Sequence, residues 1–189
     1  VNALNALNAM IRTTARLLAL ALVSVPAACD GGDDDGEGGE FIALQRDFAG
    51  VGTWEVMWSG AGEAMAAHPA GMRTVYVNDP PPPGDEFPTG TIIVKTMESS
   101  AVDTGLLIHA MAKRGGTFNP EANGWEWFEL ALDDEERPII IWRGEAPPDG
   151  HCYGCPPGVD PATAKGMVDC NMCHATAAEN DFVHSVKLR

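Results

Sequence analysis

Basic residues are scarce in this sequence. Twelve lysines and arginines stand against 27 aspartates and glutamates, a formal charge of −15 over 189 residues. Binding to a phosphate backbone needs clustered Lys and Arg, so this balance argues against a nucleic-acid partner. Apolar runs are short as well. The stretch Leu17–Val23 falls well below the roughly 20 residues that a membrane-spanning helix needs. There is no internal repeat, and no run between Phe41 and Trp142 carries a long helical period. Aromatics (7%) and charged residues (21%) fit a globular rather than a disordered composition, and 45% hydrophobic residues suffice for a core. The length suits one domain with a tail.

The first 29 residues read as an export signal. Arg12 and Arg16 precede the apolar run, which ends in the small residues Val25-Pro26-Ala27-Ala28 before Cys29. Met10 lies just ahead of Arg12, which makes residues 1–9 a candidate over-extension of the start. Cys29 directly after Ala27-Ala28 resembles a bacterial lipoprotein cleavage site and is the lipidation candidate. Pro26 departs from that pattern, and ordinary secretion with cleavage near Ala27 or Ala28 competes. Residues 30–40 hold only Asp, Glu and Gly, a composition that cannot bury surface and so serves as a solvated tether. Phe41–Arg189 is then the domain, with ten bases and 21 acids. The expected location is the bacterial cell envelope, on the periplasmic side, with membrane contact only through the lipid.

Six β-rich runs follow: Thr53–Trp58, Arg73–Val77, Thr91–Thr96, Leu106–Met111, Trp125–Leu132 and Ile139–Trp142. Gly and Pro separate them at fairly regular intervals, which predicts an antiparallel sheet rather than βαβ units. Pro80–Pro83 is a rigid extended loop. Asp160-Pro161 pairs an N-cap residue with Pro at the first helical position, so a helix is expected through Ala162–Lys165. The fold class is mainly β (α+β), with a short C-terminal helical segment.

Only five cysteines are present. Cys170-Asn171-Met172-Cys173-His174 is C-x-x-C-H, the c-type haem attachment motif. Two thiols at this spacing form thioethers to the two vinyl groups of one porphyrin, and the following imidazole sits under the iron as proximal ligand. A disulfide between Cys170 and Cys173 beside an incidental His174 is the competing reading. Cys152-Tyr153-Gly154-Cys155 is a second C-x-x-C, followed by Pro156 instead of His, and reads as a disulfide in an oxidising compartment. A zinc site would need ligands beyond neighbouring His151, and a redox-active pair would need a strand–motif–helix context that is missing. For a sixth iron ligand there are eight methionines and four other histidines: His68, His109, His151 and His184. His68, beside Pro69 in an expected loop, is singled out as able to reach a haem pocket.

Three stretches together resemble the cytochrome P-460 family, which includes the β-type cytochromes c-prime. They are Arg73-Thr74-Val75-Tyr76-Val77-Asn78, then Phe87-Pro88-Thr89-Gly90-Thr91-Ile92-Ile93-Val94-Lys95, then Cys170–His174 closing on Asp181-Phe182-Val183. The resemblance implies a mostly antiparallel β fold, a homodimer, and a five-coordinate haem c with an open distal side. It implies a third covalent haem link through Lys95 and a distal pocket lined by Arg73. The implied activity is oxidation of hydroxylamine with iron-bound NO as intermediate, yielding nitrous oxide. The β-type cytochromes c-prime instead bind NO and CO, and a plain electron-transfer cytochrome c is the third reading. The redox partner protein is left open.

Taken alone, the residues allow blander roles. Val94 and Lys95 face opposite sides of a strand, so a core-facing Val94 leaves Lys95 facing away from that core. Arg73 reads equally as a surface ion pair. Family members that turn over carry a carboxylate shortly before the haem motif; here only Asp169 stands there, with Glu98 and His68 as substitutes. Trp125–Phe128 reads as sheet core, with a haem-pocket wall as the lesser reading.

Overall fold

The six β-rich runs become six strands. In the computed structural model, which describes residues 39–64, 68–79, 84, 86–100, 104–150 and 170–184, they are β1 (Glu55–Gly62), β2 (Gly71–Val77), β3 (Ile92–Glu98), β4 (Leu106–Lys113), β5 (Trp125–Leu132) and β6 (Pro138–Gly144). Each pairs antiparallel with its predecessor, so spatial order equals chain order. Two 3₁₀ turns, Gln45–Phe48 and Val51–Thr53, precede the sheet. The described C-terminal part is a single-turn helix, α1 (Cys170–His174), running into a 3₁₀ segment, Ala175–Asn180. The mainly β fold expected from the pattern is the fold observed. Among the described residues no helix is long and apolar enough to cross a membrane.

The pleat sends alternate residues to opposite faces, and both faces are covered. On one, Tyr76, Ile92, Val94, Ile108, Ala110, Phe128 and Leu130 pack beneath Ala43 and Phe48 from the N-terminal turns. Phe48 meets Phe128 edge to face at 5.2 Å. On the other, Val75, Val77, Ile93, Met111, Trp125 and Trp127 pack with Phe87 and Val183, and Cys170 and Phe182 border them. Burying each large apolar side chain contributes about 1.5–3 kcal/mol, which makes these two clusters the main source of stability. This second face carries α1.

Strand ends run past the expected ones where glycine allows it. β1 continues through Gly60 to Gly62, and β2 starts at Gly71. A Cβ on Gly71 would stand 2.0 Å from the carbonyl oxygen of Glu98, so only glycine lets β2 and β3 pair there. Glu40, at the end of the acidic stretch, pairs with Arg114 at 2.9 Å, and Phe41 N–H donates to the Arg114 carbonyl. The leader, Cys29, the Cys152–Cys155 pair, the helix expected from Asp160, and Asp169 lie outside the described residues.

Candidate functional site

The site is built where the C-terminal segment meets the sheet. Asp181 is the anchor. Its carboxylate accepts from Lys113 Nζ at 2.7 and 2.8 Å, from Phe87 N–H at 2.8 Å and from Asn123 Nδ2 at 2.7 Å, while its carbonyl accepts from Trp125 Nε1 at 2.8 Å. Lys113 and Asp181 are 4% and 3% exposed, so this is a buried ion pair with its remaining lone pairs used. Asp181 and Phe182 both take left-handed backbone conformations (φ 51° and 64°). That tight reversal turns the Phe182 carbonyl back toward α1.

His174 Nδ1 donates to that carbonyl at 2.6 Å. A donor at Nδ1 leaves the lone pair on Nε2, the arrangement that a metal-binding imidazole needs. The ring lies 4.5 Å from Trp127, and burial lowers the His174 pKa to about 4. The other end of α1 is clamped through Asn171. Its Oδ1 accepts from Trp127 Nε1 at 2.7 Å and from Asn119 Nδ2 at 3.0 Å, and its Nδ2 donates to Asn119 Oδ1 at 2.7 Å. Trp127 is therefore both buried core and a wall against His174. Cys170 and Cys173, three residues apart on one helix, share a face and are half-buried. Cys173 carries a free thiol, so the two are not joined to each other.

Lys95 is on this same face of the sheet. Val94 is fully buried in the opposite core, so Lys95 does point away from it, but into a second covered layer rather than into solvent. Its Nζ lies 2.8 Å from His68 Nε2. His68 stacks on His109 at 5.2 Å, and His109 is the register partner of Lys95 on β4. Burial, then the charge of Arg73, lowers Lys95 to about 8. Burial, then the charge of Lys95, lowers His68 to about 2 and His109 to about 3. The proton of the Lys95–His68 pair therefore sits on the lysine at neutral pH.

Arg73 shares the face but forms no ion pair among the described residues. Its Nη2 donates to the carbonyls of Pro69 (3.2 Å), His68 (3.4 Å) and Glu63, stapling the β1–β2 connection. Gly62 makes room for it, since a Cβ there would stand 2.5 Å from the guanidinium. Arg73 Nε and His68 Nδ1 are shut off from solvent without a hydrogen-bond partner. Glu98, a substitute base from the sequence, is exposed on the opposite face. Glu129, in the same cross-strand row as Lys95 and His109, accepts from Trp142 Nε1 at 2.8 Å.

The fold thus brings Arg73, Lys95, His68 and His174 to one face, together with His109, one of the histidines considered as a sixth ligand, and Trp127, read from the sequence as core or as a pocket wall; it adds Asn171 and Asp181, which sequence reasoning gave no site role. His109 had a signal: its position two before Met111 gives it the parity of the buried face. Asp181 had none, because its partners lie 68 and 94 residues away. The residue set fits a covalently held haem: two half-buried thiols on one helix face, an imidazole with Nδ1 already committed, and buried donors nearby without acceptors. Among the described residues, no group of three or more His, Cys, Asp and Glu side chains forms a ready-made metal cage. Compared with family models, curated proteins and solved structures, the chain matches none.

Proposed function

We propose that this chain is an exported haem c protein resembling cytochrome P-460, acting on small nitrogen species. The observation that carries the reading is the convergence of α1 with Lys95 and Arg73 on one covered face of the sheet. Cys170 and Cys173 would hold haem through thioethers, and His174 Nε2 would ligate iron. When bound, haem supplies a Lewis-acidic, redox-active iron for hydroxylamine or NO.

The chain's own residues orient and polarise around that group. The Phe182 carbonyl fixes the His174 tautomer and raises the basicity of Nε2. Lys95 presents an amine from a desolvated site, where an ammonium loses its proton more easily. A covalent tie from this amine to the porphyrin belongs to the same proposal, as do lipidation at Cys29, a Cys152–Cys155 disulfide, a homodimer and the periplasmic location. Arg73 sets positive charge beside a ligand that develops negative charge on oxygen. Proton release from hydroxylamine requires a base. His68, the imidazole nearest the lysine, already accepts from Lys95 at Nε2 and has its pKa lowered to about 2, which makes it a poor base for that step.

A second reading, NO or CO binding without turnover, is favoured by one observation: no carboxylate bonds to Lys95, His68 or Arg73 among the described residues. Mass spectrometry of protein matured in a haem c-competent host tests both readings. We expect one haem on the Cys170–Cys173 peptide; an apo-protein mass there would end them. Lys95→Met then separates the two. Wild type should show a strongly red-shifted ferrous Soret band and hydroxylamine oxidation, and the variant should keep haem while losing both. An ordinary haem c spectrum in wild type leaves gas binding.

A further inference from the structure

We propose that Arg73, His68 and Lys95 form a binding corner for a small oxyanion, of which nitrite is the probe. The corner holds a surplus of donors. Lys95 Nζ lies 2.8 Å from His68 Nε2, and the proton rests on the lysine, so Nε2 is the acceptor. The neutral ring must then carry its hydrogen on Nδ1. That N–H is buried and unpartnered, and so is Arg73 Nε–H.

Buried polar groups in folded proteins are nearly always satisfied, and each orphan costs about 1–3 kcal/mol. Two orphaned donors here lie on neighbouring residues. The Arg73 guanidinium bonds to the His68 and Pro69 carbonyls, and its charge acts on both His68 and Lys95. Both orphans are N–H donors beside a lysine that has donors to spare. The missing species is an acceptor.

Charge points the same way. Two cations, Lys95 and Arg73, act on His68. The loaded protein would hold two cations at this corner, in a chain whose overall charge is −15, with no described anion bonded to either. A small, flat oxyanion with several lone pairs is the acceptor such donors call for, since guanidinium groups match such ions well.

The same chemistry has two sources, a free oxyanion or a carboxylate of the haem's own propionates, and the experiment separates them. Nitrite is titrated by calorimetry, in chloride-free buffer, into full-length protein with and without haem, the haem-free form being checked for its β-sheet circular dichroism. Binding to both forms assigns the corner to a free oxyanion. Binding to the haem-free form alone assigns it to the propionates. In either case Arg73→Gln and His68→Phe should weaken binding about tenfold or more. Arg137→Gln, on the exposed β5–β6 turn, should not. His68→Phe keeps a ring in place while removing Nδ1–H, together with the Nε2 acceptor of Lys95, so it tests the imidazole's part if Arg73→Gln disturbs the loop. No binding to either form, or equal affinity in both variants and wild type, overturns the proposal. The haem-free arm stands even if no haem is found on Cys170 and Cys173, so failure here and failure of the haem reading are distinct.

Discussion

Replacing Asp181 with alanine removes the carboxylate that Lys113, Phe87 N–H and Asn123 share. Lys113 is 4% exposed and its ammonium would be left without the charge that offsets its desolvation. Breaking a buried pair from one side costs about 3–5 kcal/mol. The Phe87 amide adds a further orphan on the order of 1–3 kcal/mol, not fully additive because relaxation and water entry are shared. We expect a total near the top of the 3–5 kcal/mol range, a large share of the ~5–15 kcal/mol that stabilises a domain. Urea unfolding with unchanged m reads the loss. Lys113→Met together with Asp181→Asn removes both charges while keeping side-chain volume, and should recover most of it. The effect also reaches the site, because the Asp181–Phe182 reversal aims the carbonyl that holds His174. A loss below about 1 kcal/mol for Asp181→Ala would refute the anchor role.

The remaining predictions concern the same face. His68 and His109 have folded-state pKa values of about 2 and 3 against an ordinary 6.5. Between those limits the unfolded chain takes up protons that the folded chain does not, so stability falls as pH drops below about 6.5, by up to about 1.4 kcal/mol per pH unit for each imidazole. Urea midpoints at pH 7, 6 and 5 check this, and a slope unchanged by His68→Phe with His109→Leu would remove these two groups as its cause. Gly62→Ala should push the Arg73 guanidinium aside, lowering stability as its bonds to the Glu63, His68 and Pro69 carbonyls loosen and weakening nitrite as Arg73→Gln does; undiminished binding would contradict the placement of Arg73. Gly71→Ala drives a Cβ into the Glu98 carbonyl and should cost about 1–3 kcal/mol or more in the same unfolding assay.

Strand pattern was legible because each run is short, β-branched or aromatic, and closed by turn residues. The expected Trp125–Leu132 is β5 to the residue, while β1 and β2 were read short at Gly60, Gly62 and Gly71. Glycine in sequence is ambiguous: it ends strands by entropy, yet it also permits the close approach of Gly71 to Glu98. The C-x-x-C-H spacing is local, so its helix and half-buried thiols could be anticipated. The setting of Lys95 could not. Alternation tells which residues share a face, but not that both faces are covered, and a lysine opposite a core valine is normally solvated. His68 was legible as a loop histidine able to reach the pocket, but its contact with Lys95 was not, since it spans 27 residues.

A meander whose spatial order repeats its chain order has low contact order over most of its length. Every strand pairs with the one just made, so loop-closure entropy is small at each step and the sheet forms from local hairpins. The two ends are the exceptions: the C-terminal segment reaches back across 68 residues to Lys113 and 94 to Phe87, and the N-terminal turns reach forward, Ala43 accepting from Arg143 100 residues on. Docking of either end carries a larger closure cost than any hairpin of the sheet. On the proposed haem c reading, a tail that docks after the sheet has formed would expose Cys170 and Cys173 to thioether chemistry first, and docking would then bring the porphyrin to the face that carries Lys95.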